Sequence, residues 1–161
     1  MKKTTSLLVL ISLLLVAALT ACGGSSDEAE KSAAGDVVQS VADAFETGFN
    51  NRDLSEFDTF FAPASDQFDT SEMLAAAHQL MDGAASGVTF QMDKLDIQDV
   101  QLDQKRVEAV VTYYAEVSMW ENSAETYTAV VTQNVSLQKI DNNWLITGSD
   151  TADVTPGQSP G

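Results

Sequence analysis

The chain is 161 residues long, and its 24 acidic against eight basic side chains give a formal net charge of −16 at pH 7. A surface this acidic excludes nucleic acid as a partner, because phosphate binding needs a basic face and the bases beyond the first three residues are adjacent only at Lys105 and Arg106. It is also repelled by anionic lipid headgroups, so any membrane contact is expected to come from an attached anchor.

Lys2 and Lys3 lead into SLLVLISLLLVAAL, an apolar run of roughly fifteen residues. A transmembrane helix needs about twenty such residues, whereas a positive start, a core of this length and a small-residue exit have the anatomy of a secretory signal. The run closes on Leu19, Thr20, Ala21 and Cys22, the only cysteine in the chain, followed by Gly23 and Gly24. These residues resemble the lipobox of bacterial lipoproteins at every position. The resemblance implies that residues 1–21 are a lipoprotein signal peptide and that Cys22 is lipidated on sulfur and becomes the mature N-terminus. It places the protein in the bacterial cell envelope, outside the cytoplasm, and in the outer membrane if the cell has one. Two acyl chains give stable anchoring at about 0.8 kcal/mol per buried methylene. The other reading of Cys22 is a free thiol in an ordinary secreted protein, which in an oxidising compartment invites intermolecular disulfides.

Residues 22–35, continuing as GGSSDEAEKSAAG after the cysteine, contain no aromatic or β-branched side chain, and this composition predicts a flexible tether. Residues 151–161, TADVTPGQSPG, have the same character and predict a disordered tail. One folded domain is then expected over residues 36–150. It begins with a helix whose apolar stripe is Val38, Val41, Phe45 and Phe49, with Asp36, Asp43 and Glu46 on a solvated face. A second helix is predicted through Leu54, Phe57, Phe60 and Phe61, closed by Pro63. A third is signalled by Asp69 with Glu72 three residues on, a capping-box spacing, and stops near Gly83 or Gly87.

From Val88 the hydrophobic period changes to two and predicts four strands, over 88–101, 107–120, 125–140 and 144–149. One face of the second strand carries Val107, Ala109, Val111, Tyr113, Ala115, Val117 and Met119, while the third sets Tyr127, Ala129, Val131, Val135 and Leu137 against a polar face of Thr126, Thr128, Thr132, Asn134 and Ser136. Short connections at LDQKR, ENSA and DNN suit antiparallel hairpins. The expected fold class is α+β, with about three N-terminal helices packed on one face of a curved antiparallel sheet.

AFETGFNNRDLSEFDTFFAPASD resembles the opening helices of the nuclear transport factor 2-like superfamily, and LQKIDNNWLITGSD resembles its last hairpin. In that hairpin Asn142 and Asn143 stand where a glycine is usual, and asparagine also tolerates positive φ. The resemblance implies a cone-shaped pocket that members use for enzymology, ligand binding or protein contact. FNNRDLSEFDTFFA is similar to the ketosteroid isomerase branch, whose oxyanion-donating tyrosine falls on Phe45 here and whose catalytic base falls on Asp69. Phe45 has no hydroxyl, and a base without that donor lacks what is usually the larger catalytic contribution. Asp69 is therefore read first as a helix cap.

His78, the only histidine, stands one turn before Asp82, so a His-Asp pair of the dehydratase or cyclase type is open beside a structural role. Asp93, Asp96, Asp99 and Asp103 lack the ligand spacing of a calcium loop, and with Cys22 lipidated no Cys/His zinc set exists; no metal or cofactor is predicted. Phe45, Tyr113, Tyr127 and Gln133 are the pocket candidates, lining either a site for a small apolar ligand or plain core. The function expected is a noncatalytic, membrane-anchored domain that binds a small ligand or an envelope protein. The alternative is a small extracytoplasmic isomerase, dehydratase or cyclase. The outer sheet face is too polar for an obligate interface, which predicts a monomer or weak homodimer.

Overall fold

A stripe of apolar side chains on one helix, and a sheet curled to meet it, organise the molecule. The computed structural model describes residues 22–65, 67–150 and 152–157, with side chains described from residue 26. The predicted signal peptide, with Leu19, Thr20 and Ala21, lies outside the described residues. Helix α1 is Cys22–Asn51, α2 is Ser55–Asp58 and α3 is Ser71–Gly83. The strands β1 Val88–Leu102, β2 Glu108–Glu121, β3 Ala124–Ile140 and β4 Asn143–Ser149 follow in order, and β5 is Asp153–Pro156. All pairings are antiparallel, in the order β1-β2-β3-β4, with β5 beside β3. The α+β architecture is as expected, with the helices against one sheet face.

Strict alternation along β1 would turn Lys94, Asp96 and Gln98 toward the helices. Register shifts at Met92/Lys94 and Ile97/Asp99 prevent this, so that Met92, Leu95, Ile97, Val100 and Leu102 share the inner face. Each bulge also bends the strand and increases its twist, which curls the sheet around α1. Across β2 and β3 the inner face is built from the opposed pairs Ala109–Leu137, Val111–Val135 and Tyr113–Gln133. The tight β3–β4 turn has positive φ at Asp141 and Asn142, one residue earlier than the asparagine pair suggests, and Asn122 and Ser123 do the same between β2 and β3. Asp103 is a turn builder: its carboxylate accepts N–H bonds from Lys105, Val107 and Glu108 at 3.0, 2.8 and 2.9 Å. The bond from Glu108 leads the effects that hold its pKa below the usual aspartate value.

The tether predicted over 22–35 is instead the first part of α1. Alanine, glutamate and lysine are strong helix formers, and a segment continuous with an amphipathic helix incurs no separate nucleation cost. Polar contacts hold it down. Glu30 accepts Lys139 Nζ on both oxygens at 2.7 Å and Trp144 Nε1 at 3.2 Å, Asp27 pairs with Arg106, and Ala34 is fully buried. The tail predicted over 151–161 likewise contains β5, and Gly157 N–H donates to Thr128 O at 2.8 Å. Composition missed this strand because backbone pairing on the edge of β3, with Val154 opposite Val131, holds it rather than side-chain burial.

The second helix is also shorter than its phenylalanine spacing suggests. Phe60, Phe61 and Ala62 leave it to run beside β4, where Ile146 N–H donates to Phe60 O at 2.9 Å and Ala62 N–H to Ile146 O at 2.8 Å. Satisfying β4's open backbone edge outweighs another turn of helix. At the end of α1, Arg52 N–H bonds to Phe49 O and Asp53 N–H to Gly48 O, a Schellman closure with Arg52 at φ 60°. Only glycine fits at 48, since a Cβ there would lie 2.6 Å from Asp53 O. Left-handed arginine costs about 1 kcal/mol. Arg52 offsets it by donating to Met81 O and Ala85 O, which ties down the C-terminal end of α3.

Glu46, expected on the solvated face, accepts Met92 N–H at 2.8 Å, and Asn50 one turn on grips Phe90 through both N–H and C=O at 2.8 and 2.9 Å. Two side chains of α1 thus close part of the β1 edge.

The docking of the first turns of α1 is testable at Glu30. Hydrogen bonding to Lys139 is the first cause holding its pKa below the ordinary 4.5, so this contribution is present above that value and lost as pH falls through the lower folded one. Glu30→Gln at pH 7 is expected to raise amide exchange over residues 27–34 while leaving 38–51 protected. Unchanged exchange in both segments would count against an ionic dock.

Candidate functional site

Because Val38, Val41, Ala42 and Phe45 lie on one side of α1 and the sheet curls beneath them, a space is left that their side chains do not fill. It is a cavity of about 210 Å³, closed below by Met92, Leu95, Tyr113, Gln133, Val135 and Ile146 and at its flank by Phe57, Phe61 and Met73. Phe45 forms part of its wall rigidly: its ring meets Phe90 edge-on at 5.0 Å and Phe57 at 5.3 Å, and Phe57 in turn packs on Phe61 at 4.9 Å. Larger concavities flank α1 and the hairpin end of the sheet, but they are open grooves with substantial polar walls. The space under α1 is the most enclosed of these and mainly apolar.

Tyr113 and Gln133 are opposed in the β2–β3 register and provide the cavity's polar side chains. The tyrosine hydroxyl donates to Gln133 Oε1 at 2.7 Å, and Gln133 Nε2 donates to Asp150 O at 2.8 Å. Burial pushes the Tyr113 phenol above the usual tyrosine range, which keeps it protonated at neutral pH. The pair satisfies itself, and the phenol oxygen and the amide oxygen retain lone pairs that can accept from a guest. No carboxylate or imidazole is among the lining residues.

The sequence-derived candidates divide sharply. Phe45, Tyr113 and Gln133 come together at the cavity. Tyr127 does not; it lies six residues before Gln133, the first cavity-lining residue of β3, near the start of that strand, and is 42% exposed. Asp69 is exposed and away from the lining. Thr70 occupies the N-cap position of α3, with its hydroxyl donating to Ala62 O at 2.9 Å, while the Asp69 carboxylate accepts Ser71 N–H at 3.3 Å and the Ser71 hydroxyl. His78 pairs with Asp58 rather than Asp82: Nε2 lies 3.0 and 3.1 Å from the two Asp58 carboxylate oxygens, with both side chains about two-fifths exposed and outside the cavity lining. Among the described residues no three His, Cys, Asp or Glu side chains converge on a site for a metal ion. Missed at the sequence level are Ala42, Met73, Met92 and Leu95. Their apolar periodicity is visible, but whether such residues touch or leave space depends on how far the helix stands from the sheet.

No protein-family model matches the sequence, and no curated protein is significantly similar to it. Among solved structures, the chain is similar to a protein of unknown function with a cystatin-like fold from Nostoc punctiforme, at 21% identity and TM-score 0.49 over 74% of this chain and 89% of that one. It is also similar to a nuclear transport factor 2-like protein of unknown function from Shewanella baltica, at 13% identity and TM-score 0.38 over 76% and 94%.

Removing one hydroxyl tests the polar pair. Tyr113→Phe leaves the buried side of Gln133 without its donor and is expected to cost about 1–2 kcal/mol in denaturant unfolding. A loss within error would mean that the amide turns to another partner.

Proposed function

We propose that the protein is a lipid-anchored lipoprotein of the bacterial envelope, held through Cys22, whose nuclear transport factor 2-like cone binds a small apolar ligand without transforming it. The cavity carries this reading. A partly open, mainly apolar space of about 210 Å³ with a single self-satisfied polar pair suits a guest that is mostly hydrocarbon and carries one hydrogen-bonding group. An apolar cavity of about 150 Å³ accommodates benzene, so the scale is one substituted ring or a short branched chain.

The absence of a carboxylate or imidazole from the lining supports binding over turnover. Proton abstraction needs a base within about 3 Å of its target, directly or through one water. Asp69 and His78, the catalytic candidates read from the sequence, are both engaged elsewhere. At the oxyanion-donor position, Phe45 contributes only a packed ring.

The binding experiment titrates the methyl resonances of Met73 and Met92 with toluene. Both are expected to shift in the wild type, and Ala42→Leu, which fills the space from α1, is expected to abolish the shifts while leaving the melting temperature equal or higher. Absence of any shift in the wild type would make the space ordinary core. Native mass spectrometry of wild-type protein taken from cells then reports whether a guest is carried. For the anchor, Cys22→Ser is expected to leave an unprocessed precursor or a released soluble form. Detergent partitioning equal to wild type after a different cleavage would refute it.

A further inference from the structure

We infer that the end of the domain bearing the β1–β2 and β3–β4 turns is its membrane-facing surface, apposed to phosphate-bearing lipid headgroups, with the cavity held away from the bilayer. The inference rests on the anchoring at Cys22 proposed above, and adds an orientation that a lipid anchor alone does not impose.

Its first support is the lack of slack. α1 is continuous from Cys22, and Asp27 already pairs with Arg106 of the β1–β2 turn. At 1.5 Å per residue, the rise from Cys22 to Asp27 is about 8 Å, comparable with the depth of a headgroup layer. Three residues on, Glu30 is clamped by Lys139 and Trp144 at the β3–β4 end. Two attachments on adjacent turns of one helix, to two different hairpins, fix its direction as well as its position. A chain anchored at Cys22 therefore presents this end to the bilayer.

Charge is the second support. Overall the molecule is strongly anionic, yet Lys31, Lys105, Arg106 and Lys139 gather at this end, and the bases beyond them after the apolar run are only Arg52 and Lys94. Several acids here are already engaged: Asp27 by Arg106, Glu28 by Lys31 at 3.8 Å, Glu30 by Lys139, and Asp103 by three backbone N–H groups. Glu108 and Asp141 stay exposed and Asp99 lies in the same groove as Lys31 and Arg106, so this end remains acidic, with seven acids against four bases. Lys105 projects from the turn with no ion-pair partner among the described residues. With four of the six bases that follow the apolar run, this end is repelled by phosphate less than the remainder of the molecule, where two bases face most of the acids. The cavity is remote from it: Val38, its first lining residue on α1, lies about 24 Å along the helix from Cys22. A guest would then enter from the aqueous side.

The acylated protein is reconstituted into vesicles of phosphatidylethanolamine with a minority of phosphatidylglycerol, carrying a fluorophore at Lys105→Cys in one sample and at Ala124→Cys, at the opposite sheet end, in another. A nitroxide lipid labelled in the headgroup is expected to quench position 105 several-fold more than position 124. Equal quenching, or stronger quenching at 124, in protein that floats with the vesicles overturns the orientation while leaving the anchor standing. Failure to float overturns the anchor, and the orientation with it.

Discussion

The packing of one amphipathic helix against a sheet that has to curl to receive it is the constraint on which the structure depends. A flat sheet would touch the Val38–Phe49 stripe along a line and leave most of both apolar surfaces wet. Two bulges in β1 supply the curl and, with the same two inserted residues, rephase the strand between them so that Leu95 and Ile97 face inward rather than Lys94, Asp96 and Gln98, while Val100 keeps the inward phase. The phenylalanines at 45, 49, 57, 61 and 90 then interlock around the contact. Glu46 and Asn50, on the flank of the same helix, bind the backbone of β1's outer edge, so the surface that forms the core also limits edge pairing.

The cavity is a by-product of that geometry. Where Ala42 faces the sheet, the helix has little side chain to offer, and a curled sheet recedes beneath it. The surrounding side chains are large, but they are held apart by ring-on-ring contacts and by the Tyr113–Gln133 hydrogen bond. α3 supplies Met73 as part of the wall and is fastened from outside, by Arg52 at its C-terminal end, by His78 on Asp58, and by Thr70 on Ala62. Of these fastenings only His78 belongs to the catalytic reading of the sequence, and it lies outside the cavity lining.

How much was legible beforehand follows from the range of the interactions involved. All four long strands and their antiparallel order can be read from alternation and turn residues, because those signals are local. The capping role assigned to Asp69 is one residue displaced, since Thr70 takes the cap position and uses its hydroxyl on a distant carbonyl instead. Asp58 and His78 carry no spacing that announces their meeting. Neither Glu30 nor Lys139 looks exceptional in its own neighbourhood, yet their pairing docks a segment that has no aromatic or β-branched side chain to bury.

The sequence by itself determined the period of each element, the apolar face each presents, the hairpin connections and the acidic surface, because these depend on residues within a few positions of one another. Tertiary structure alone decided that residues 22–35 join α1, that a terminal strand closes on β3, and that the space under Ala42 is left unfilled. The physical reason is common to all three. Each depends on the distance between surfaces brought together from far apart in the chain, and a periodic pattern specifies which side chains face each other without specifying how closely they meet.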